Sequence, residues 1–178
     1  PSFGASTPDM VAPSAYQCPE PFGSNVGGTN GLFWAVANSA ATGFSQYDSW
    51  LTVGVTDGDA AGALSSIGID WSSWTETSGI TTNDGAVFWM SPDRAPAGDA
   101  VVAQLTVAAG SSGTMVLGLQ VRSTAGAADW KVNNVPFSFG SGVSPAPPIN
   151  YQPGGPWGTP DTSGPSLAGS RTLRPPIP

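Results

Sequence analysis

The chain has 178 residues, of which only 10% are charged, and its formal net charge is −7. It has five Lys and Arg residues and no histidine. It therefore lacks the basic surface that nucleic acids or anionic membranes require. No apolar run approaches the roughly 18 residues of a membrane span. Since ordinary soluble domains are about 25% charged, we expect this surface to be covered by glycans or buried against other copies of the chain.

Composition divides the chain into three parts. Residues 1–30, in which proline and glycine recur, are predicted to form an irregular N-terminal arm. Residues 31–139 are predicted to form one β-domain, of a normal size for a sound core. Residues 140–178 include ten prolines and seven glycines, which favours an extended tail, largely polyproline II. At about 3.1 Å per residue, such a tail reaches on the order of 100 Å.

The middle part alternates between apolar runs and turns rich in Gly, Asp and Pro, and it shows no stretch of ten residues with helical period. Residues 32–37 and 86–90 are apolar on both faces, as central strands are. Residues 100–107 and 114–121 alternate clearly and are predicted to be a hairpin or close neighbours. The other predicted strands are 47–55, 66–71, 128–132 and 135–139. About eight short strands favour an all-β fold, an antiparallel β-sandwich of the immunoglobulin type, with a closed barrel as the alternative.

Catalytic chemistry has few candidates in this sequence. Without histidine there is neither a Ser-His-Asp triad nor a Cys-His pair, and a single cysteine cannot build a usual zinc site. Two carboxylates could in principle cleave a glycosidic bond, but Glu20 and Glu76 are the only glutamates, and most of the ten aspartates lie in turn-like sequence. We therefore predict that the protein is not an enzyme. Cys18 has no partner within the chain, so we expect a buried thiol rather than a bridge to another chain.

Two other kinds of site are candidates. Asp57 and Asp59 place two oxygen ligands in one loop and are a weak calcium candidate, although Asp-Gly is also a common turn. Apart from calcium, no cofactor is predicted. Trp71 and Trp74 flank two serines and are candidates for stacking on sugar rings, while Trp34 and Trp89 lie in two-faced strands and are predicted to be core. A secreted carbohydrate-binding module is therefore the main alternative function.

The tail carries large apolar side chains at intervals, which a simple linker has little use for. Four of them are predicted anchors for neighbouring copies: Ile149, Tyr151, Trp157 and Leu173. No Asn lies in an N-glycosylation pattern, so sugars are expected on oxygen atoms of hydroxylated proline, serine or threonine. The candidates for this modification are Pro147, Pro148, Thr159, Pro160, Thr162, Ser163, Pro175 and Pro176.

Three segments together resemble a known domain: Tyr47-Asp-Ser-Trp50, Ala86-Val-Phe-Trp-Met-Ser-Pro-Asp93 and Val101-Val-Ala-Gln-Leu-Thr-Val107. The pattern is similar to a domain that recurs in secreted proteins of aquatic microbes, and the similarity covers residues 32–139. The resemblance implies a secreted β-sandwich, distantly cohesin-like, and it brings no catalytic residues with it.

The combination of a β-domain and a proline-rich tail also resembles the protomer of glycosylated extracellular fibrils found in natural water. That resemblance implies O-glycans on the tail and tails that run along neighbouring subunits. The first residue is proline rather than an initiator methionine, as expected after removal of a signal peptide or for a part of a longer chain. We predict a secreted structural protein that forms a homopolymer, with glycans as its other partners.

Overall fold

A computed structural model describes residues 10–91, 100–121 and 130–140. These residues form ten strands, one α-helix of a single turn and two 3-10 helices. In chain order the elements are β1 (Met10–Ala12), α1 (Phe33–Val36), β2 (Asn38–Ser39), β3 (Gly43–Phe44), a 3-10 helix (Ser45–Tyr47), β4 (Trp50–Leu51), β5 (Leu64–Ile67), a second 3-10 helix (Trp71–Ser73), β6 (Ile80–Thr82), β7 (Ala86–Trp89), β8 (Ala103–Gln104), β9 (Gly113–Val121) and β10 (Trp130–Phe139). The prediction of an all-β chain is confirmed.

The largest sheet has four strands in the order β10-β9-β1-β6, and every pair in it is antiparallel. Strand β1 is inside the sheet, because Met10 lies opposite Leu117 on one side and Thr82 on the other. The sequence analysis predicted an irregular arm here, and for residues 10–12 that prediction is wrong. The strand is too short for its alternation to be recognised, and Pro13 ends it immediately.

Three ribbons of two strands complete the described fold, namely β2–β3, β4–β8 and β5–β7. The two segments 100–107 and 114–121 do not form a hairpin, because β8 pairs with β4 whereas β9 pairs with β1 and β10. They are neighbours in the core instead, since Leu105 and Val107 pack against the cluster that contains Met115 and Leu117. The last two predicted strands are one strand, β10, with an irregularity in its register between Val132 and Val135. Asn134 has φ 57° at that point, a left-handed conformation that asparagine tolerates.

The predicted central strand at residues 32–37 is instead the short helix α1. The side chain of Asn30 accepts a hydrogen bond from the Leu32 N–H at 2.9 Å, and its carbonyl accepts one from the Phe33 N–H, also at 2.9 Å. Asparagine favours such local turns, so the chain coils before it can extend. The side chains of this apolar run are therefore distributed around a helix rather than on the two faces of a strand.

The core lies between the large sheet and the segments packed on it. Its buried members are Met10, Ala12, Ala15, Leu51, Trp74, Ile80, Met115 and Leu117. Burying each of the larger side chains is worth about 1.5–3 kcal/mol. Val87 and Leu119 pack against this cluster from the strands around it.

Candidate functional site

A groove of about 440 Å³ is the first candidate site. It is assembled from five separate parts of the chain, and none of them forms it alone. Its lining residues are Pro13, Ser14, Ala15, Tyr16, Phe44, Tyr47, Glu76, Thr106, Val107, Ala108, Ser111, Ser112, Gly113 and Phe139. Four of these residues are Phe or Tyr, so we call this surface the aromatic groove.

The floor of the aromatic groove is the segment that follows β1. The Ala15 N–H donates to the carbonyl of Thr75 at 3.0 Å, and the Tyr16 N–H donates to the carbonyl of Thr106 at 2.8 Å. The Tyr16 carbonyl in turn accepts from the Ser49 N–H at 3.1 Å. These bonds reach three different parts of the chain, so the floor is fixed by the body of the protein.

The aromatic side chains are held in place by specific contacts. The hydroxyl of Tyr16 accepts a hydrogen bond from the Phe44 N–H at 2.9 Å, and burial raises the pKa of Tyr16, so its hydroxyl stays neutral. The ring of Phe139 lies over Gly113, where a Cβ atom would stand 2.8 Å from Phe139 Cζ. Glycine at this position therefore leaves the space that the ring occupies.

Seven of the fourteen lining residues of the aromatic groove have polar side chains. Tyr47, Ser111 and Ser112 bring hydroxyl groups, which can donate hydrogen bonds. Glu76 is exposed and is the one acidic residue of the lining. A stacking surface with hydroxyl donors and a single carboxylate is suited to binding a ligand that has rings, carbonyl oxygens and a positive charge.

The outer face of the β5–β7 ribbon is a second candidate surface. Ile67 is 65% exposed, Phe88 40% and Met90 57%. The pairing of Ser65 with Phe88 and of Ile67 with Ala86 puts these apolar side chains on one face. Among the described residues each strand of this ribbon pairs on one side only. We call this surface the ribbon face.

Helix α1 adds a third apolar surface. Phe33 packs edge-on against Phe22, with ring centroids 5.6 Å apart, and this contact anchors the helix. Leu32 and Val36 then remain 80% and 60% exposed. Trp34 was predicted to be core but is 47% exposed, because the run that contains it is a helix and not a buried strand.

The predicted sugar platform is not formed as expected. Trp74 is 2% exposed, and its indole N–H donates to the carbonyl of Pro13 at 2.8 Å. It is a core residue, so its ring is not available to a sugar. Trp71 is half-buried, lies 6.1 Å from Trp74 between ring centroids, and donates to the Ser66 hydroxyl at 3.1 Å. Trp89, predicted to be core, is half-buried.

Of the two residues predicted as a weak calcium site, Asp59 has a structural role. Both carboxylate oxygens of Asp59 accept backbone hydrogen bonds, from Ala63 N–H at 2.8 Å and Leu64 N–H at 2.9 Å. Asp57 and Asp59 line a cavity of about 340 Å³ together with Trp89 of β7. Within residues 10–91, 100–121 and 130–140, no three His, Cys, Asp or Glu side chains are grouped as metal ligands.

Cys18 is buried, as predicted, and forms no disulfide within the described residues. Burial raises the pKa of its thiol, and the nearby carboxylate of Asp48 raises that pKa further. The thiol is therefore kept neutral and poorly reactive.

The predicted tail anchors and glycosylation candidates, which are Pro147, Pro148, Ile149, Tyr151, Trp157, Thr159, Pro160, Thr162, Ser163, Leu173, Pro175 and Pro176, lie outside the described residues. Sequence reasoning did not identify the aromatic groove. Its residues come from distant segments, and no local pattern joins them.

Comparison with models of known families, with curated proteins and with solved structures finds no match. The resemblance to secreted microbial domains therefore stays a prediction. In the part of the chain that the structure describes, no helix has the length and apolar character needed to cross a membrane.

Proposed function

We propose that this protein is a secreted, non-enzymatic structural protein whose copies join into a fibril. The β-rich body, proposed to be a β-sandwich, is the repeating unit, and the proline-rich tail connects one unit to the next. The observation that carries the proposal is the ribbon face, where Ile67, Phe88 and Met90 are all more than a third exposed. A strand pair with free edges and an apolar face is a natural template for association with another chain.

The low charge supports the same function. Only 10% of residues are charged, so few charged groups would have to be desolvated when copies meet. The chain has at least two dissimilar apolar surfaces, on the ribbon face and on α1. A contact between dissimilar surfaces does not close on itself after two copies, and it produces a filament when the rotation between copies does not close a ring.

Glycosylation would supply the solubility that charge does not. We propose O-linked sugars on Pro147, Pro148, Thr159, Pro160, Thr162 and Ser163, which lie in the part of the tail before residue 171. The tail is rich in these residues and the body carries the apolar surfaces, so sugars on the tail would leave those surfaces free.

The alternative, a carbohydrate-binding module, has less support. It required a platform made of Trp71 and Trp74, and Trp74 is 2% exposed. A single half-buried ring, hydrogen-bonded to Ser66, is a poor sugar platform.

The proposal is tested by replacing the ribbon face. In the triple variant Ile67→Thr, Phe88→Thr, Met90→Thr, strand propensity is kept while apolar area is lost. Losing even 1.5 kcal/mol of apolar burial per contact raises the concentration needed for polymerisation at least about tenfold. Analytical ultracentrifugation across a concentration series measures this.

Val101→Thr is the matched control, because Val101 is 47% exposed but lies on neither surface. We expect this variant to polymerise like the wild type. Equal polymerisation of the triple variant and the control would mean that the ribbon face is not a contact between copies.

A further inference from the structure

We propose that the aromatic groove binds the C-terminal segment 171–178 of a neighbouring copy. This proposal deepens the proposed function and rests on it, since it names the contact through which a tail would join two units. The partner is thus a second copy of this chain, held through a proline-rich, basic peptide.

The sequence of the segment fits an aromatic groove. It reads Arg171-Thr-Leu-Arg-Pro-Pro-Ile-Pro178, and three prolines in four residues favour polyproline II. Aromatic-lined grooves recognise such segments because the ligand is already extended and loses little entropy on binding. The rings of Tyr16, Phe44, Tyr47 and Phe139 line this groove.

Hydrogen bonding is complementary as well. Proline has a carbonyl acceptor and no N–H donor, so a proline-rich ligand needs donors from its site. The hydroxyls of Tyr47, Ser111 and Ser112 lie along the groove. In the floor segment, the N–H groups of Ala15 and Tyr16 already donate to Thr75 and Thr106, so the hydroxyl groups are important donors for a ligand.

Charge points to the same segment. Glu76 is the acidic residue of the groove lining, and Arg171 and Arg174 are two of the five basic residues of the chain. The described residues contain seven acidic residues and one basic residue, Lys131. A cationic ligand is therefore attracted to this body, and within this chain the C-terminal segment supplies one.

The length of the tail is sufficient to reach a neighbouring copy. The tail begins at Gly140, directly after Phe139 of the groove, and Arg171 follows 31 residues later. In a polyproline conformation this length spans on the order of 95 Å, far beyond the radius of a domain of this size, about 15 Å. This reach is enough for the segment to meet the groove of a neighbouring copy, and the mixing experiment below distinguishes that arrangement from binding to the groove of the same chain.

Charge reversal in the full chain tests the proposal. One variant carries Glu76→Arg in the groove, and the other carries Arg171→Glu and Arg174→Glu in the tail. Each variant alone should need at least about tenfold more protein to polymerise than the wild type. An equimolar mixture should polymerise at the wild-type concentration, because each tail then meets a groove of opposite charge on the other variant. Glu20→Arg, at an exposed acid outside both the groove and the ribbon face, should polymerise like the wild type.

Two results would overturn the proposal. If both variants polymerise like the wild type, the segment does not bind at Glu76. If the chain that carries all three changes polymerises at the wild-type concentration but the mixture does not, the tail binds the groove of its own chain instead. Failure of the proposed function has a separate signature, which is a wild-type chain that stays monomeric at every concentration.

Discussion

Asp48 shows how a single buried residue organises the chain. It is 1% exposed, and its carboxylate accepts hydrogen bonds from the backbone N–H groups of Cys18, Ser24 and Ser49 at 2.7, 2.6 and 3.0 Å. These bonds tie the segment after β1 to the start of β4. Burial nevertheless raises the pKa of Asp48 to about 6, from an ordinary value of 3.8, against the opposite effect of the three donors.

The raised pKa sets the sign of a pH dependence. Between pH 3.8 and about 6 the folded chain binds the proton of Asp48 more tightly than the unfolded chain does. The contribution of Asp48 to stability is therefore full below about pH 4 and is lost as the pH rises to about 6.

We predict that Asp48→Asn lowers the free energy of unfolding by about 1–3 kcal/mol, because the amide group cannot accept all three hydrogen bonds. The advantage of the wild type over this variant should shrink as the pH rises from 4 to 6. Urea unfolding at several pH values, followed by tryptophan fluorescence, measures both effects. An advantage that grows with pH would show that the folded carboxylate has a lowered pKa instead.

The two tryptophans of the second 3-10 helix region give a second prediction. Trp74→Ala should lower the free energy of unfolding by about 3–5 kcal/mol, because it empties a core site and leaves the Pro13 carbonyl without its donor. Trp71→Ala should lower the free energy of unfolding by clearly less, since Trp71 is only half-buried. Urea unfolding of both variants decides this, and equal losses would contradict the assignment of Trp74 to the core.

Residue burial was only partly predictable from the sequence. Trp34 was expected inside and is exposed, whereas Trp74 was expected outside and is buried. In both cases the error follows from the backbone. Trp34 lies in a run that was predicted to be a strand and is a helix, and Trp74 lies at a corner that was predicted to be exposed and is covered by Pro13. Burial depends on distant segments that no local pattern reveals.

At the scale of elements, β1 is the connection on which the large sheet depends. It is three residues long and lies between β6 and β9. Because β1 has a neighbouring strand on each side, the N–H of Val11 faces one of them. Proline at this position has no N–H and therefore cannot donate a hydrogen bond to that strand.

Val11→Pro should therefore lower the free energy of unfolding by more than about 2 kcal/mol. Val11→Thr is the matched control, because threonine keeps the β-branched shape at a half-buried position, and its effect should be much smaller. Thermal unfolding by circular dichroism compares the two. A tolerated Val11→Pro would mean that β1 does not belong to the sheet.

Strands were predicted more successfully than their partners. Alternating residues identified β9 and most of β10, and a two-faced apolar run identified β7. Pairing was not predictable, because β4 with β8 and β1 with β9 join segments far apart in sequence. Only turns between neighbouring strands leave a local signal, and these pairs are not neighbours along the chain.

At the scale of the whole molecule, the body and the tail have complementary properties. The described body is acidic, carries exposed apolar faces and has an aromatic groove. The tail sequence is rich in proline and holds two of the five basic residues. The proposal that copies join end to end follows from this division, and it predicts that assembly fails when the tail is removed. Deleting residues 140–178 should leave a particle of monomer size in analytical ultracentrifugation, and continued polymerisation would exclude the tail as the connector.

The most direct test is the mass of the native particle, compared with the mass of its denatured chain. We expect a particle many times heavier than 17.9 kDa, built of chains that are heavier than their sequence because they carry sugars. A native monomer at the mass of the sequence would contradict both the fibril and its glycosylation.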